Sequence, residues 1–457
     1  MDFVHRPYQS GETIAAVCTP PGDGGVAVIR ISGNNALSVA AKVFSGPIHT
    51  YRSHTAHVGR ILDPQGNSVD EVLVLVMLNP RSYTGEDTVE IHCHGGTLIT
   101  RRVLETVLNA GARAAQPGEF TFKAFMNGKL DLAQAEAVQE LIGAKNEHAL
   151  HSAEQHLQGA LSKKIASFQR ELTEIAAILE AFVDFPEEGL EFASEQEVID
   201  SLNDTLHKMQ HLARTFHEGK MISQGISLCL AGPPNVGKSS LMNALLGKER
   251  AIVTPIAGTT RDLLEDDLTL NGLHFRLIDT AGIRDTEEEI EQEGIRRSKR
   301  AMHDADLILL VLDAAAPLCQ ESSQLLFSAP QDKTLLVWNK IDLPHTPHPI
   351  EYPHTVHISA KHELGLTELQ NAIDKILWQK GPIAKDELVI TKLRHAQALS
   401  QAITSLEALI AGLKTGISPE FLSSDMRTTL KELGTIIGSN ITEDILSAIF
   451  SKFCIGK

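Results

Sequence analysis

The sequence predicts a multidomain chain: an α+β N-terminal part, a discontinuous all-α part, and an α/β unit inserted into that helical part. Three observations carry this. At 457 residues the chain is too long for one ordinary hydrophobic core. Its apolar period changes from short extended stretches near the start to three- and four-residue spacing after about Leu130. From Ile226 to about Gln379 strand-like and helix-like segments alternate, which implies a mostly parallel sheet with helices on both faces.

In the first 125 residues the extended stretches are Thr13–Cys18, Val26–Ser32, Val72–Leu78 and Thr88–His92. Turn-rich pieces such as Pro20–Gly25 separate them, and Leu98–Leu108 has helical spacing that stops at Gly111. Residues 126–221 read as long amphipathic helix. Its apolar stripes are Leu130, Ala133, Ala137, Val138, Leu141 and Ile142, then Leu157, Leu161, Ile165, Phe168, Leu172, Ile175 and Leu179. Pro186 breaks it. Residues 222–382 form the alternating unit, with strands expected at Ile226–Ala231, Phe275–Asp279, Leu307–Asp313, Leu335–Asn339 and Thr355–Ser359. Residues 383–457 are helical again.

Composition narrows the class. The content is 42% hydrophobic and 22% charged, that of a soluble globular protein. The longest apolar runs, Val72–Leu78 and Leu307–Leu312, are far short of a membrane span. Five scattered cysteines and no apparent secretory signal point to free thiols and a cytoplasmic location. A formal charge of −17 argues against coating of the whole surface by nucleic acid, though not against a local basic face.

The inserted unit carries the chemistry. Gly232–Ser239 fits the phosphate-loop pattern G-x-x-x-x-G-K-S after an apolar strand and before a helix. Within Asn235-Val236-Gly237-Lys238-Ser239-Ser240, glycine lets backbone N–H groups turn toward phosphate oxygens. Lys238 supplies a point charge, and Ser239 a hydroxyl for Mg²⁺. Asp279-Thr280-Ala281-Gly282 follows a strand, where a carboxylate can hold the metal's water shell and Gly282 N–H can meet a γ-phosphate. Asn339-Lys340-Ile341-Asp342 places a carboxylate able to accept from guanine N1–H and its exocyclic amine, a donor pair that adenine lacks. Ser359-Ala360-Lys361 suits the guanine carbonyl. Between the first two motifs, Thr254-Pro255-Ile256-Ala257-Gly258-Thr259-Thr260 offers Thr260 as the second Mg²⁺ ligand. The order and spacing resemble Ras-like and translation-factor GTPases. Ile283 stands where Ras-like enzymes place the glutamine that orients water, so the catalytic helper must come from elsewhere.

With these motifs, the blocks Pro20–Gly33, Tyr83–Gly96 and Pro117–Gln134 and the terminus Phe453-Cys454-Ile455-Gly456-Lys457 resemble one family over essentially the whole chain, the tRNA-modification GTPases called MnmE or TrmE. The resemblance implies an N-terminal folate-binding and dimerising domain, a discontinuous helical domain and a Ras-like G domain. It implies a homodimer that works with the flavoprotein MnmG (GidA) on tRNA. Together they add an aminomethyl or carboxymethylaminomethyl group to C5 of the wobble uridine. The one-carbon unit comes from a reduced folate (5-formyl- or 5,10-methylene-tetrahydrofolate). It further implies a K⁺ site at Asn235, Thr254, Ile256 and Thr259, with Glu291 as the catalytic residue orienting water. Arg30, Glu90, Lys129 and Lys457 fall on folate-contacting positions.

Some readings stay open. The Cys454 thiol either takes part in the one-carbon chemistry or simply packs the tail. His92-Cys93-His94 reads as a strand entering a glycine turn or as metal ligands, and Arg296–Arg300 as a solvated helix face or a tRNA contact. Two other functions compete: an Era-like ribosome-assembly GTPase, and a GTP-switched scaffold without chemistry of its own.

Overall fold

The computed structural model describes residues 9–184, 195–248, 267–278, 301–344, 350–378, 387–439 and 441–457. The chain divides into two compact units. One comprises Met1–Ile142, Ala153–Gln210 and Gln397–Lys457; the other comprises Gly143–Ser152 and His211–Ala396.

The first unit contains a sheet of strands β1 (Ile14–Val17), β2 (Gly24–Ser32), β3 (Thr55–Leu62), β4 (Ser68–Met77), β5 (Thr88–Gly95) and β6 (Arg113–Ala114), in the order β3-β4-β5-β2-β1-β6. Every pairing is antiparallel except β1 with β6. Alternation sends Ile29, Ile31, Val72, Val74, Val76, Val89 and Ile91 to one face, where they join the core with the helices Ala36–Val43 and Thr97–Asn109. β3 and the helix Ala36–Val43 add to the elements expected from sequence. β3 exposes Ala56, Val58 and Arg60 and fully buries only Ile61, so its hydrophobic alternation is weak. The same alternation buries Cys93 and turns His92 and His94 to the opposite face, where His94 Nδ1 lies 2.8 Å from Asp70 Oδ1. The three side chains therefore do not converge.

That opposite face is used unevenly. Beside β1 it is covered by Phe120 and Tyr83, which pack with Ile14 and Ala16. Toward β3 it is open: the register partners Val58 and Leu73 are 71% and 38% exposed. Under the covered end lies a buried polar network. Lys123, 1% exposed, donates to Glu86 Oε2 at 2.7 Å and to Glu12 O at 2.6 Å. Ser32 Oγ donates to Glu86 Oε2 at 3.4 Å and lies 2.7 Å from Thr84 Oγ1. The network ties β2 and the Thr84–Thr88 loop to the helix Glu119–Met126.

The long helical stretch resolves into separate helices, Leu132–Gly143, Glu147–Leu157, Ala160–Asp184 and Glu195–Arg214. Asn146 starts the second by accepting from Ala149 N at 2.7 Å, and Gly159 breaks before the third in a left-handed conformation (φ 81°). The stripe Leu161, Ile165, Phe168, Leu172, Ile175 and Leu179 is buried, and its helix packs on Pro419–Ile437 from the C-terminal segment. After the final helix, Glu443–Phe450, the side chains of Phe450 and Phe453 enter a cluster with Leu132, Ala135, Phe122 and Phe125.

The second unit holds a sheet of β7 (Ile226–Ala231), β8 (Asp267–Leu270), β9 (Leu273–Ile278), β10 (Leu307–Asp313), β11 (Thr334–Asn339) and β12 (Thr355–His357), ordered β12-β11-β10-β7-β9-β8. All pairs are parallel except the β8–β9 hairpin. The strands are apolar on both faces, as helix-covered parallel strands must be. No helix among the described residues is long and apolar enough to cross a membrane.

Replacing Lys123 by Met should leave the Glu86 carboxylate buried without its cation and cost about 3–5 kcal/mol of stability. Urea melts of Lys123→Met and of the double variant Lys123→Met/Glu86→Leu test this. The double variant should be the more stable of the two.

Candidate functional site

The strand order reverses beside β7, the crevice where open α/β sheets bind ligands outside the carboxyl ends of their strands. The motif residues that are described gather there. Gly232 (φ 146°) passes so close to β10 that a Cβ would lie 2.2 Å from Val311 O. At Gly237 (φ 98°) a Cβ would lie 2.3 Å from Asn339 Nδ2. Both positions require glycine. Lys238 Nζ reaches back across the loop to Gly232 O and Pro233 O, each at 2.8 Å, and so places its charge at the loop mouth. Ser239 and Ser240 lie in the first turn of the helix Lys238–Lys248, whose N-terminus directs backbone N–H groups toward an anion.

Asn339 joins this loop to the others. Its Nδ2 donates to Val236 O at 2.9 Å, and its Oδ1 accepts from Ala360 N at 3.0 Å. Lys340 Nζ donates to Asn235 O at 2.7 Å and to Asp313 Oδ2 at 2.6 Å. Ile341 N donates to Ile358 O at 3.2 Å, which draws the segments after β11 and β12 together. Ser359 Oγ donates to Asp342 Oδ1 at 2.6 Å, and His362 Nε2 lies 3.6 Å from Asp342 Oδ2. The Ser359 hydroxyl, aided by the nearby positive groups, holds the Asp342 carboxyl below its ordinary range. It therefore stays ionised at neutral pH and can accept two N–H groups. Lys361 is exposed at the loop tip.

Asp313, whose carboxylate holds Lys340, joins this group. Its only signal in sequence is an acidic residue ending the apolar run Leu307–Leu312. Thr254, Pro255, Ile256, Ala257, Gly258, Thr259, Thr260, Asp279, Thr280, Ala281, Gly282 and Glu291 lie outside the described residues, as do Ile283 and Arg296–Arg300.

A second constellation lies in the first unit. Arg30 and Glu90 are register partners on β2 and β5, with Arg30 Nε donating to Glu90 Oε1 at 2.8 Å. The guanidinium sits 5.4 Å from the Tyr83 ring centroid and 5.5 Å from that of Phe120, within cation–π range of both. The C-terminal tail returns to this place. Gly118 N donates to Cys454 O at 3.3 Å and Phe120 N to Lys457 O at 3.2 Å. Gly456 (φ 94°) runs so close to β1 that a Cβ would lie 2.3 Å from Val17 O. The same glycine passes Cys18, whose Cα would lie 2.9 Å from that Cβ, and burial pushes the Cys18 thiol up. Lys129 is attached differently. Its Nζ donates to Pro80 O at 3.1 Å and its stem packs near Gly85, so it meets the group through the loop that carries Tyr83. Cys454 is exposed and bonds through its backbone. In sequence Tyr83 and Phe120 are single aromatics among polar residues and glycine, and Cys18 is one of five scattered cysteines, so none carries a distinct signal.

Asp342→Asn should weaken GTP binding and favour xanthosine triphosphate, whose carbonyl replaces the guanine amine and pairs with an amide. Competition between the two nucleotides measures this. Unchanged guanine selectivity would remove Asp342 from base reading.

Comparison with known proteins agrees with this organisation. Residues 13–129 match the family model "GTP-binding protein TrmE N-terminus" and residues 132–454 match "MnmE helical domain". The chain is 64% identical to the tRNA modification GTPase MnmE of Protochlamydia amoebophila over 100% of both chains. It is 46% identical to that of Moorella thermoacetica, over 98% of this chain and 99% of the relative. For that of Chlamydia felis the identity is 45% over the same shares. Identity of this extent over the whole length, with both family models matched, places the chain in the MnmE (TrmE) family of tRNA modification GTPases.

Proposed function

We propose that this GTPase is K⁺-dependent and acts as a homodimer with the flavoprotein MnmG (GidA) in the cytoplasm. Together they add an aminomethyl or carboxymethylaminomethyl group to C5 of the wobble uridine of certain tRNAs. The observation that carries the reading is the seating of the tail Cys454–Lys457 against the sheet that holds the Arg30–Glu90 pair. Lysine and arginine there suit the glutamate tail of a folate, Glu90 suits the donors of a pterin, and the Tyr83 and Phe120 rings offer a flat apolar wall. A reduced folate bound there would supply the one-carbon unit. Arg30, Glu90, Lys457 and, through the Pro80–Gly85 loop, Lys129 would orient it. The exposed Cys454 thiol is kept as a candidate for that chemistry. The open apolar face around Val58 and Leu73 suits contact with a second copy of the chain.

At the strand ends, Lys238 and the N–H groups of Val236–Ser240 would hold the phosphates, with Ser239 and Thr260 on Mg²⁺. Asp279–Gly282 would face the γ-phosphate. Asp342 and Ser359–Lys361 would read guanine. Mg²⁺ and K⁺, when bound, add positive charge where the transferred phosphoryl develops negative charge. Asn235 and the segment Thr254–Thr259 would hold K⁺, and Glu291 would orient the attacking water. The left-handed backbone of Asn235 (φ 63°), tied by its carbonyl to Lys340, fits a loop shaped to present this side chain.

Turnover in KCl should exceed turnover in NaCl at equal ionic strength, since a cage of fixed size distinguishes the two radii; equal rates would refute the cation assignment. Deleting Cys454–Lys457 should abolish modification of tRNA by the chain with its flavoprotein partner and a reduced folate, and weaken folate binding measured by calorimetry. K⁺-stimulated GTP hydrolysis should persist. Full modification by the truncated chain would reject the folate assignment.

A further inference from the structure

We propose that Asp313 is a positioning residue for the nucleotide: acting through Lys340, it holds the phosphate loop and the base-reading loop in one arrangement. The proposal rests on reading the strand ends as the GTP site. Asp313 is the last residue of β10 and pairs in register with Asn339, the last residue of β11. Its carboxylate has two separate tasks. Oδ1 accepts from Ala315 N at 2.9 Å and shapes the turn that follows the strand. Oδ2 accepts from Lys340 Nζ at 2.6 Å.

The same ammonium donates to Asn235 O at 2.7 Å, so a single cation links β10, the base-side loop and the phosphate loop. Both residues that it connects are in left-handed backbone conformations, Lys340 at φ 67° and Asn235 at φ 63°. Residues other than glycine stay in that region only when their surroundings hold them there. A lysine stem has many rotamers, and a neutral carbonyl by itself fixes its end weakly. A carboxylate adds a charge-assisted hydrogen bond of fixed direction. The pair is only part-exposed, with side-chain accessibilities of 31% and 18%, so solvent screens it less than a surface ion pair. Asp313 thus fixes where the ammonium points, and the ammonium fixes the Asn235 carbonyl and the path of the loop that is to receive phosphate.

Asp313→Asn separates the two tasks. An asparagine keeps an acceptor for Ala315 N and loses the charge that orients Lys340. In the full chain, release of a fluorescent GDP analogue should become faster by about tenfold, the scale of one charge-assisted hydrogen bond. Affinity should fall in proportion. The kcat at saturating GTP should change by less than about threefold, because the lost interaction serves ground state and transition state alike. Asp313→Glu should restore part of the affinity. In a Lys340→Met background, Asp313→Asn should add nothing, since the carboxylate acts through the ammonium. The proposal is overturned if Asp313→Asn releases GDP at the original rate. It is also overturned if Asp313→Asn speeds release equally in the Lys340→Met background, which would leave only the turn. Guanine selectivity of Asp342→Ala separates the levels. If that selectivity is lost while Asp313→Asn is silent, this proposal alone fails; if it is retained, the strand-end reading and the proposal fall together.

Discussion

The side-chain amide of Asn339 is the joint on which the nucleotide end of the inserted unit depends. It is 2% exposed, and both its donor and its acceptor are spent on backbone groups from separate loops. Parallel strands bring their carboxyl ends together, but they leave each following loop free to choose its own path. A buried amide that must satisfy both ends removes that freedom, because an unpaired polar group there costs stability. The close approach also explains Gly237, where a side chain would collide with the Asn339 amide. The two motifs are read separately in sequence; in the fold they form one hydrogen-bonded object.

The other constellation depends on a different constraint, the return of the chain end to its beginning. Phe450 and Phe453 anchor the tail in an aromatic cluster with Phe122 and Phe125. The residues after them then have only one place to go. Their carbonyls meet the N–H groups at the start of the helix Glu119–Met126, which have no partner within that helix. Gly456 permits the close pass over β1. The tail therefore caps one helix and lies along the end of β1. Meanwhile the Lys123–Glu86 pair holds the loop bearing Tyr83 against the same helix from beneath.

The two constellations differ in how they are held. Among the described residues, Gly232–Ser240, Asn339–Asp342 and Ser359–Lys361 each begin within a residue or two of the end of a parallel strand of one sheet. The Arg30 group is assembled from β2, β5, a loop, a helix and the terminus, so its geometry depends on packing over most of the N-terminal sheet.

The sequence by itself determined the multidomain order, an α+β part and a helical part holding an inserted α/β unit, and the family. Each rests on local information: an apolar period, a glycine where the backbone must turn, or a lysine or aspartate at fixed spacing from a strand end. The stripe Leu161–Leu179 was legible for the same reason, since one helix face is written in consecutive turns. The tertiary structure alone decided the rest. β3 was illegible because an edge strand with one open face buries little, and its residues alternate between polar and weakly apolar. The helix break at Gly159 was illegible because the apolar spacing runs across it from Leu157 to Leu161, and the start at Asn146 rests on one side-chain cap that no apolar pattern marks. Asp313 meets Lys340, Tyr83 and Phe120 flank Arg30, and Gly456 comes beside Cys18 only after strands distant in sequence have paired. No local pattern records such meetings, because they are fixed by sheet register and by the burial that closes the chain on itself.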